Sequence, residues 1–215
     1  MKFMKCSCLR KAAGVAAVIL ASFSFCSPVL AAVQSDSGAA GTEGSQNRVL
    51  VAYFSRTGEN YAVGSISSGN TYLVAKEIAE QTGGRLFEIR TAYSYPADYS
   101  ECVKKAREEK DANTRPELAE NIDVSPYDVI YLGAPVWHGD LPMAVYTFLE
   151  SGDFSGKTVR PFNTHEGSGS SGFDVKIGKA VPGASVTGVL SIQGKEAQNE
   201  THKLPFKVRN WIKSE

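Results

Sequence analysis

Apolar residues fall along this chain in two alternating rhythms. Residues 49–54 (VLVAYF) form a continuous apolar run that ends abruptly in Ser55-Arg56-Thr57-Gly58. Such a run reads as a central strand of a parallel sheet, buried on both faces. From 70 to 82 the spacing changes: Val74, Ala75, Ile78 and Ala79 share one helix face, and Gly83-Gly84 stops the helix. Strand signals recur at 85–89, 128–132, 157–162 and 186–192. Helix signals lie between and after them, at 98–110, 142–150, 173–181 and 203–213. Residues 193–201 are polar and read as a surface excursion. A β-α unit repeated five times predicts an α/β three-layer sandwich, a parallel sheet with helices on both faces. The leading strand order is 2-1-3-4-5, which places a ligand beyond the C-terminal ends of strands 1 and 3.

The first residues break this rhythm. Lys2, Lys5, Arg10 and Lys11 make a basic start, 12–25 are uncharged and apolar, and Pro28 and Val29-Leu30-Ala31 follow. This is the three-part pattern of a secretory signal, cut after Ala31 or Ala32, and the apolar run is short for a membrane span. An uncleaved anchor is the alternative. Cys26 follows the bulky Phe25, which argues against lipid attachment. The expected organisation is a signal peptide at 1–31, a flexible tether at 32–47 and one domain at 48–215. The tether is rich in Ser, Gly and Ala and has no aromatic residue, so it buries too little apolar surface to order itself. The expected location is periplasmic or secreted, with no membrane span left after cleavage.

Cleavage changes the charge. The chain has 23 Lys+Arg and 23 Asp+Glu; without the four basic residues of the signal, 19 face 23, a net −4. That argues against a nucleic-acid partner. Of four cysteines only Cys102 remains, so no intrachain disulfide can form. Tyr99, Val103 and Ala106 lie at helical spacing from it, which reads as a packed face.

Three loops carry candidate chemistry. Ser55-Arg56-Thr57-Gly58 offers hydroxyls and backbone N–H groups at a helix start, a setting suited to phosphate. It lacks the Lys of a Walker-type site, and a plain N-cap turn is the alternative. In 133–140 (GAPVWHGD) Trp137 stands just past a strand end, where a rigid aromatic plane suits a stacked planar ring. A core Trp is the alternative. Residues 163–172 (NTHEGSGSSG) contain G-x-G-x-x-G, but only one strand follows, too few for a dinucleotide half. A Gly/Ser loop that lets backbone approach a flat ring explains them better. His138 and His165 have no second metal ligand at regular spacing. Ser168 to Ser171 near His165 raise a Ser-His hydrolase, but G-x-S-x-G is missing.

Taken in order, YFSRTG, GNT, GAPVWHGDLP and PFNTHEGSGSSG resemble the flavodoxin family over about 48–213. The resemblance implies a flavodoxin-like fold and FMN as cofactor. It implies phosphate binding at Ser55, Arg56, Thr57, Asn70 and Thr71. Pro135, Val136, Trp137, His138 and Gly139 resemble the ring-binding loop. Thr164, His165, Gly167, Ser168 and Gly169 resemble the loop facing the ring's polar edge. Two departures stand out: Asn60 replaces the usual Thr, with 61–68 an insertion, and the last loop has no second aromatic. One ring face is therefore open or covered by Tyr61. The implied function is electron transfer or oxidoreduction outside the cytoplasm, with a redox partner protein or a small-molecule acceptor. The alternatives are an NAD(P)H-dependent quinone or flavin reductase, and a binding module with a lapsed flavin site.

Overall fold

A computed structural model describes residues 48–214. The expected signal and tether, residues 1–47, lie outside the described residues. The first strand, β1 (Val49–Tyr53), runs between β4 (Arg85–Glu88) and β5 (Val129–Pro135), parallel to both. β6 (Thr158–His165) pairs with β5 on its far side. Two short strands, β7 (Ser185–Val186) and β8 (Leu190–Gln193), both pair with β6. In chain order of the parallel strands this is 2-1-3-4-5, with the fifth strand in two pieces.

The break in the fifth strand corrects the expectation of one strand over 186–192, and it has a local cause. Val159 faces Val186, but Phe162 faces Leu190, so the register slips by one residue between the pieces. One extra residue in a strand is a bulge. There the Gly188 carbonyl accepts the Trp211 indole N–H at 3.1 Å.

Side-chain alternation along β1 assigns the two cores. Leu50, Ala52 and Phe54 face α3 (Met143–Glu150) and α4 (Phe173–Ala180), whose Phe148 and Phe173 fill that side. Val51 and Tyr53 face α1 (Asn70–Thr82) and α6 (Leu204–Lys213), through Ile78 and Val208. The period of two, with both faces apolar, is what makes the run a central strand. α2 (Tyr99–Asp111) starts at an Asp98 N-cap, whose carboxylate accepts the Glu101 N–H at 2.9 Å.

Two segments differ from the sequence reading. Part of 193–201 is a helix, α5 (Gly194–Asn199), with Gly194 and Ala197 buried. Ala197 is its one apolar residue and reaches the α1 core, too weak a signal to show in a polar stretch. The insertion, 61–68, forms the turn and second strand of a small antiparallel hairpin, β2 (Gly58–Asn60) and β3 (Gly64–Ile66). Among the described residues no helix is long and apolar enough to cross a membrane.

Candidate functional site

Strand order reverses between β1 and β5, and the loops after β1, β5 and β6 meet at that edge. They enclose a cavity of about 380 Å³. Sites of this kind sit at the carboxyl ends of strands at the reversal point.

The loop after β5 supplies the aromatic plane. Trp137 and Asp140 exchange both backbone hydrogen bonds at 2.9 Å, closing a two-residue turn. His138 (φ 51°) and Gly139 (φ 71°) are both left-handed, as a type I′ turn requires. Gly takes that conformation freely; His138 is held in it. Its Nε2 lies 2.9 Å from the Val103 carbonyl. Lys110 from α2 donates to the His138 carbonyl at 2.7 Å, and Lys176 from α4 donates to the Gly139 carbonyl. Both lysines also approach Asp140, at 3.7 and 3.3 Å. Burial works against a charge on Asp140. The Tyr146 hydroxyl, the Leu141 N–H and Lys176 outweigh it and hold the carboxyl below its ordinary pKa.

Trp137 is half-buried. Its ring meets Phe54 (5.2 Å, 83°) and Tyr95 (5.0 Å, 79°) edge-on. It also lines the cavity. Trp137 thus packs against the core with part of its surface on the cavity. Behind it Tyr95 donates to the buried Glu109 carboxylate at 2.7 Å, and Tyr93 donates to the same group.

The loop after β6 is pinned from beneath. Asn163, fully buried, donates to the carbonyls of Gly169 (3.1 Å) and Ser170 (3.0 Å) and accepts from Ser191 (2.7 Å). Gly167 and Gly169 both have positive φ. His165 Nδ1 accepts the Gly167 N–H at 2.9 Å, so the ring proton sits on Nε2. Burial lowers the His165 pKa, against the pull of Glu166 and Glu196.

The turn after β1 packs tightly on the start of α1. Ser55 Oγ accepts the Tyr72 N–H at 3.1 Å, doing from outside what the N-cap residue Gly69 cannot. A Cβ on Gly69 would stand 2.2 Å from Ser55 Oγ and 2.6 Å from the Arg56 carbonyl. Thr71 and Thr164 share a buried hydrogen bond at 2.8 Å.

The structure brings many of the expected site residues together, but not all. Arg56, Asn70, Pro135, Val136, Trp137 and His138 line the cavity, as do Thr164, His165 and Ser168. Thr71, Gly139, Gly167 and Gly169 do not line it; Thr71 is buried, and Gly139 and Gly167 are exposed. Ser55 and Thr57 open on a neighbouring cavity, also about 380 Å³, with Arg56 between the two. α2 adds Tyr99, Cys102, Val103 and Ala106 to the wall. Their i, i+3, i+4, i+7 spacing reads as a packed face, and it is one, but the face closes a cavity rather than a core. Among the described residues no cluster of His, Cys, Asp or Glu could hold a metal ion.

A doubly wound sheet with an aromatic turn and a Gly/Ser loop at its reversal point defines a ligand-binding α/β protein. The family model described as Flavodoxin matches residues 48–213, and the chain belongs to the flavodoxin family. A presumptive flavoprotein from Bacteroides uniformis ATCC 8492 is 33% identical, with a TM-score of 0.62 over 78% of this chain and 98% of that one. Another from Bacteroides eggerthii DSM 20697 is 25% identical, TM-score 0.62, over 78% and 96%. A Lactobacillus acidophilus NCFM flavoprotein, solved in complex with FMN, shares the fold at 23% identity, TM-score 0.54, over 73% and 99%. No curated protein matches the chain.

Proposed function

We propose that the cavity holds FMN and that the protein serves electron transfer or oxidoreduction outside the cytoplasm. The observation that carries this reading is Trp137: an aromatic plane locked edge-on by two other rings, with one side on the cavity. The residues fit the group. Gly69, bare of a Cβ that would stand 2.2 Å from Ser55 Oγ, lets the turn after β1 close on the start of α1, where helix N–H groups favour a phosphate. Arg56 Nε is buried without a partner among the described residues. A flavoprotein of the same fold was solved with FMN.

In this reading Asn70 faces the phosphate end, and Ser55 and Thr71 brace the start of α1 through the Tyr72 N–H and Thr164. The 135–139 turn carries the ring, and Asn163 holds the backbone of 167–170 toward the ring's polar edge. His165, neutral at pH 7, offers its Nε2–H as a donor. Bound FMN supplies the redox chemistry; the chain orients it and sets its surroundings. The basic-then-apolar start of the sequence supports export.

A reductase is the second reading, favoured by the cavity's exposed outer side, where Tyr61 is 63% exposed. Mixing the FMN-loaded protein with NADH or NADPH under anaerobic conditions decides between them. Loss of flavin absorbance within seconds makes it a reductase. Absorbance that persists until a redox protein is added makes it a carrier. A protein that takes up no FMN removes both.

A further inference from the structure

The geometry points to Arg56 as a positioning residue that fixes a second aromatic wall over the cavity. The role of that wall rests on the flavin reading above; the pinning itself does not.

Both terminal nitrogens of Arg56 are spent on backbone. Nη1 donates to the Glu59 carbonyl in the inserted hairpin. Nη2 donates to the carbonyls of Pro96 (2.8 Å), Ala97 (2.7 Å) and Asp98 (3.3 Å), the segment leading into α2. One planar fork thus ties the hairpin to the start of a helix some 40 residues on. The two segments also touch directly. The Glu59 N–H donates to the Ala97 carbonyl at 3.1 Å, and the Tyr99 N–H donates to the Glu59 carboxylate at 3.2 Å. Gly58, at φ +83°, sits where a Cβ would come within 3.2 Å of the Ala97 carbonyl.

Two strands of three residues cannot hold themselves in water. This hairpin contributes no residue to either core cluster. Its position therefore depends on the Arg56 tie. The tie sets Tyr61, from the hairpin, against Tyr99, from the first turn of α2. Their rings stack at 6.0 Å and 29°, and both line the cavity that Trp137 lines. A planar ring lying on Trp137 meets this tyrosine pair at the cavity's outer side. The insertion thereby supplies the second aromatic that the loop after β6 lacks. Lys at position 56 carries charge but no fork, so it cannot make the same tie.

The test compares FMN with riboflavin, which has the ring but no phosphate. Binding of each to purified wild type, Arg56→Met and Tyr61→Ala is followed by flavin fluorescence. Digestion by chymotrypsin, which cuts after Tyr61, is timed in parallel. If Arg56 positions the wall, Arg56→Met weakens riboflavin by about tenfold and speeds cleavage at Tyr61. Tyr61→Ala, at an exposed position that leaves folding intact, weakens riboflavin comparably. Arg56→Lys does not restore binding. Riboflavin affinity unchanged in both variants, with only FMN weakened by Arg56→Met, makes Arg56 a phosphate ligand and overturns the inference. Wild type that binds neither flavin defeats the FMN reading instead. The cleavage rates then decide the pinning alone: equal rates in wild type and Arg56→Met overturn it.

Discussion

The Trp137 turn and the Tyr61 hairpin bring aromatic rings to the same cavity, and they are held in opposite ways. Trp137 is wedged between Phe54 and Tyr95, and its turn is tied by lysines from two helices. Tyr61 rests on one neighbouring ring and hangs on hydrogen bonds between exposed backbone segments. The turn grows from a core strand and inherits its rigidity. The hairpin has no core of its own and depends on the Arg56 fork and a few hydrogen bonds to the segment leading into α2. A site built this way has one fixed face and one adjustable face. Fixed geometry suits holding a cofactor; an adjustable face suits admitting or excluding whatever exchanges electrons with it.

The largest expected effect is at the fixed face. Trp137→Ala removes the platform and two edge-on ring contacts, so FMN affinity falls by at least about a hundredfold, as for a central aromatic anchor. The apoprotein also loses about 2 kcal/mol, because the ring is half in the core. Urea denaturation of the apoprotein and FMN titration of the same variant read the two losses. Unchanged affinity breaks the comparison, since the fixed face would then carry no ligand.

Gly69→Ala comes next. A methyl group 2.2 Å from Ser55 Oγ must push the β1–α1 turn away from the helix start. A cost of about 1–3 kcal/mol follows from overpacking. Thermal melting reads it, and FMN affinity should drop more than riboflavin affinity. A variant as stable as wild type would mean that this turn is loose.

Asp140→Asn tests the ties themselves. With its folded pKa depressed, Asp140 contributes stability that is present above the ordinary value of 3.8 and lost as pH falls through the folded one. The variant should melt lower at pH 7, and the gap to wild type should close as pH falls below 3.8. A gap independent of pH contradicts the charged brace.

The smallest effect is at His165. Its folded pKa lies below 6.5, so the unfolded chain takes the proton first. Its contribution is complete above pH 6.5 and lost as pH falls below that value. Protonation also ends the acceptance of the Gly167 N–H by Nδ1. His165→Asn should flatten the stability profile between pH 7 and 5 in denaturant titrations, and an unchanged slope contradicts the assignment.

The sequence carried the central sheet plainly, because burial on both faces writes continuous apolar runs such as 49–54 and 128–132. It carried α1 to the residue, because Gly83 stands in the left-handed conformation just after the helix. It did not carry α5, whose single core residue leaves no period to read. Nor did it carry the slip in the fifth strand, where one extra residue is invisible without its partner strand. In the site, Trp137 and the Gly-rich loop were legible from their place after strands. The roles of Lys110 and Lys176 were not, since each acts on a backbone carbonyl distant in sequence. Arg56 was legible as a cation beside a phosphate loop; its carbonyl partners 40 residues away were not.

A flavin bound in the cavity would lie on Trp137. The protein has two tryptophans, and Trp211 sits on α6, hydrogen-bonded to Gly188. In a Trp211→Phe variant, emission reports Trp137 alone. Titrating that variant with FMN should quench the emission in a saturable way, ending near one FMN per chain. Saturable FMN binding by absorbance with Trp137 emission unchanged would contradict the account.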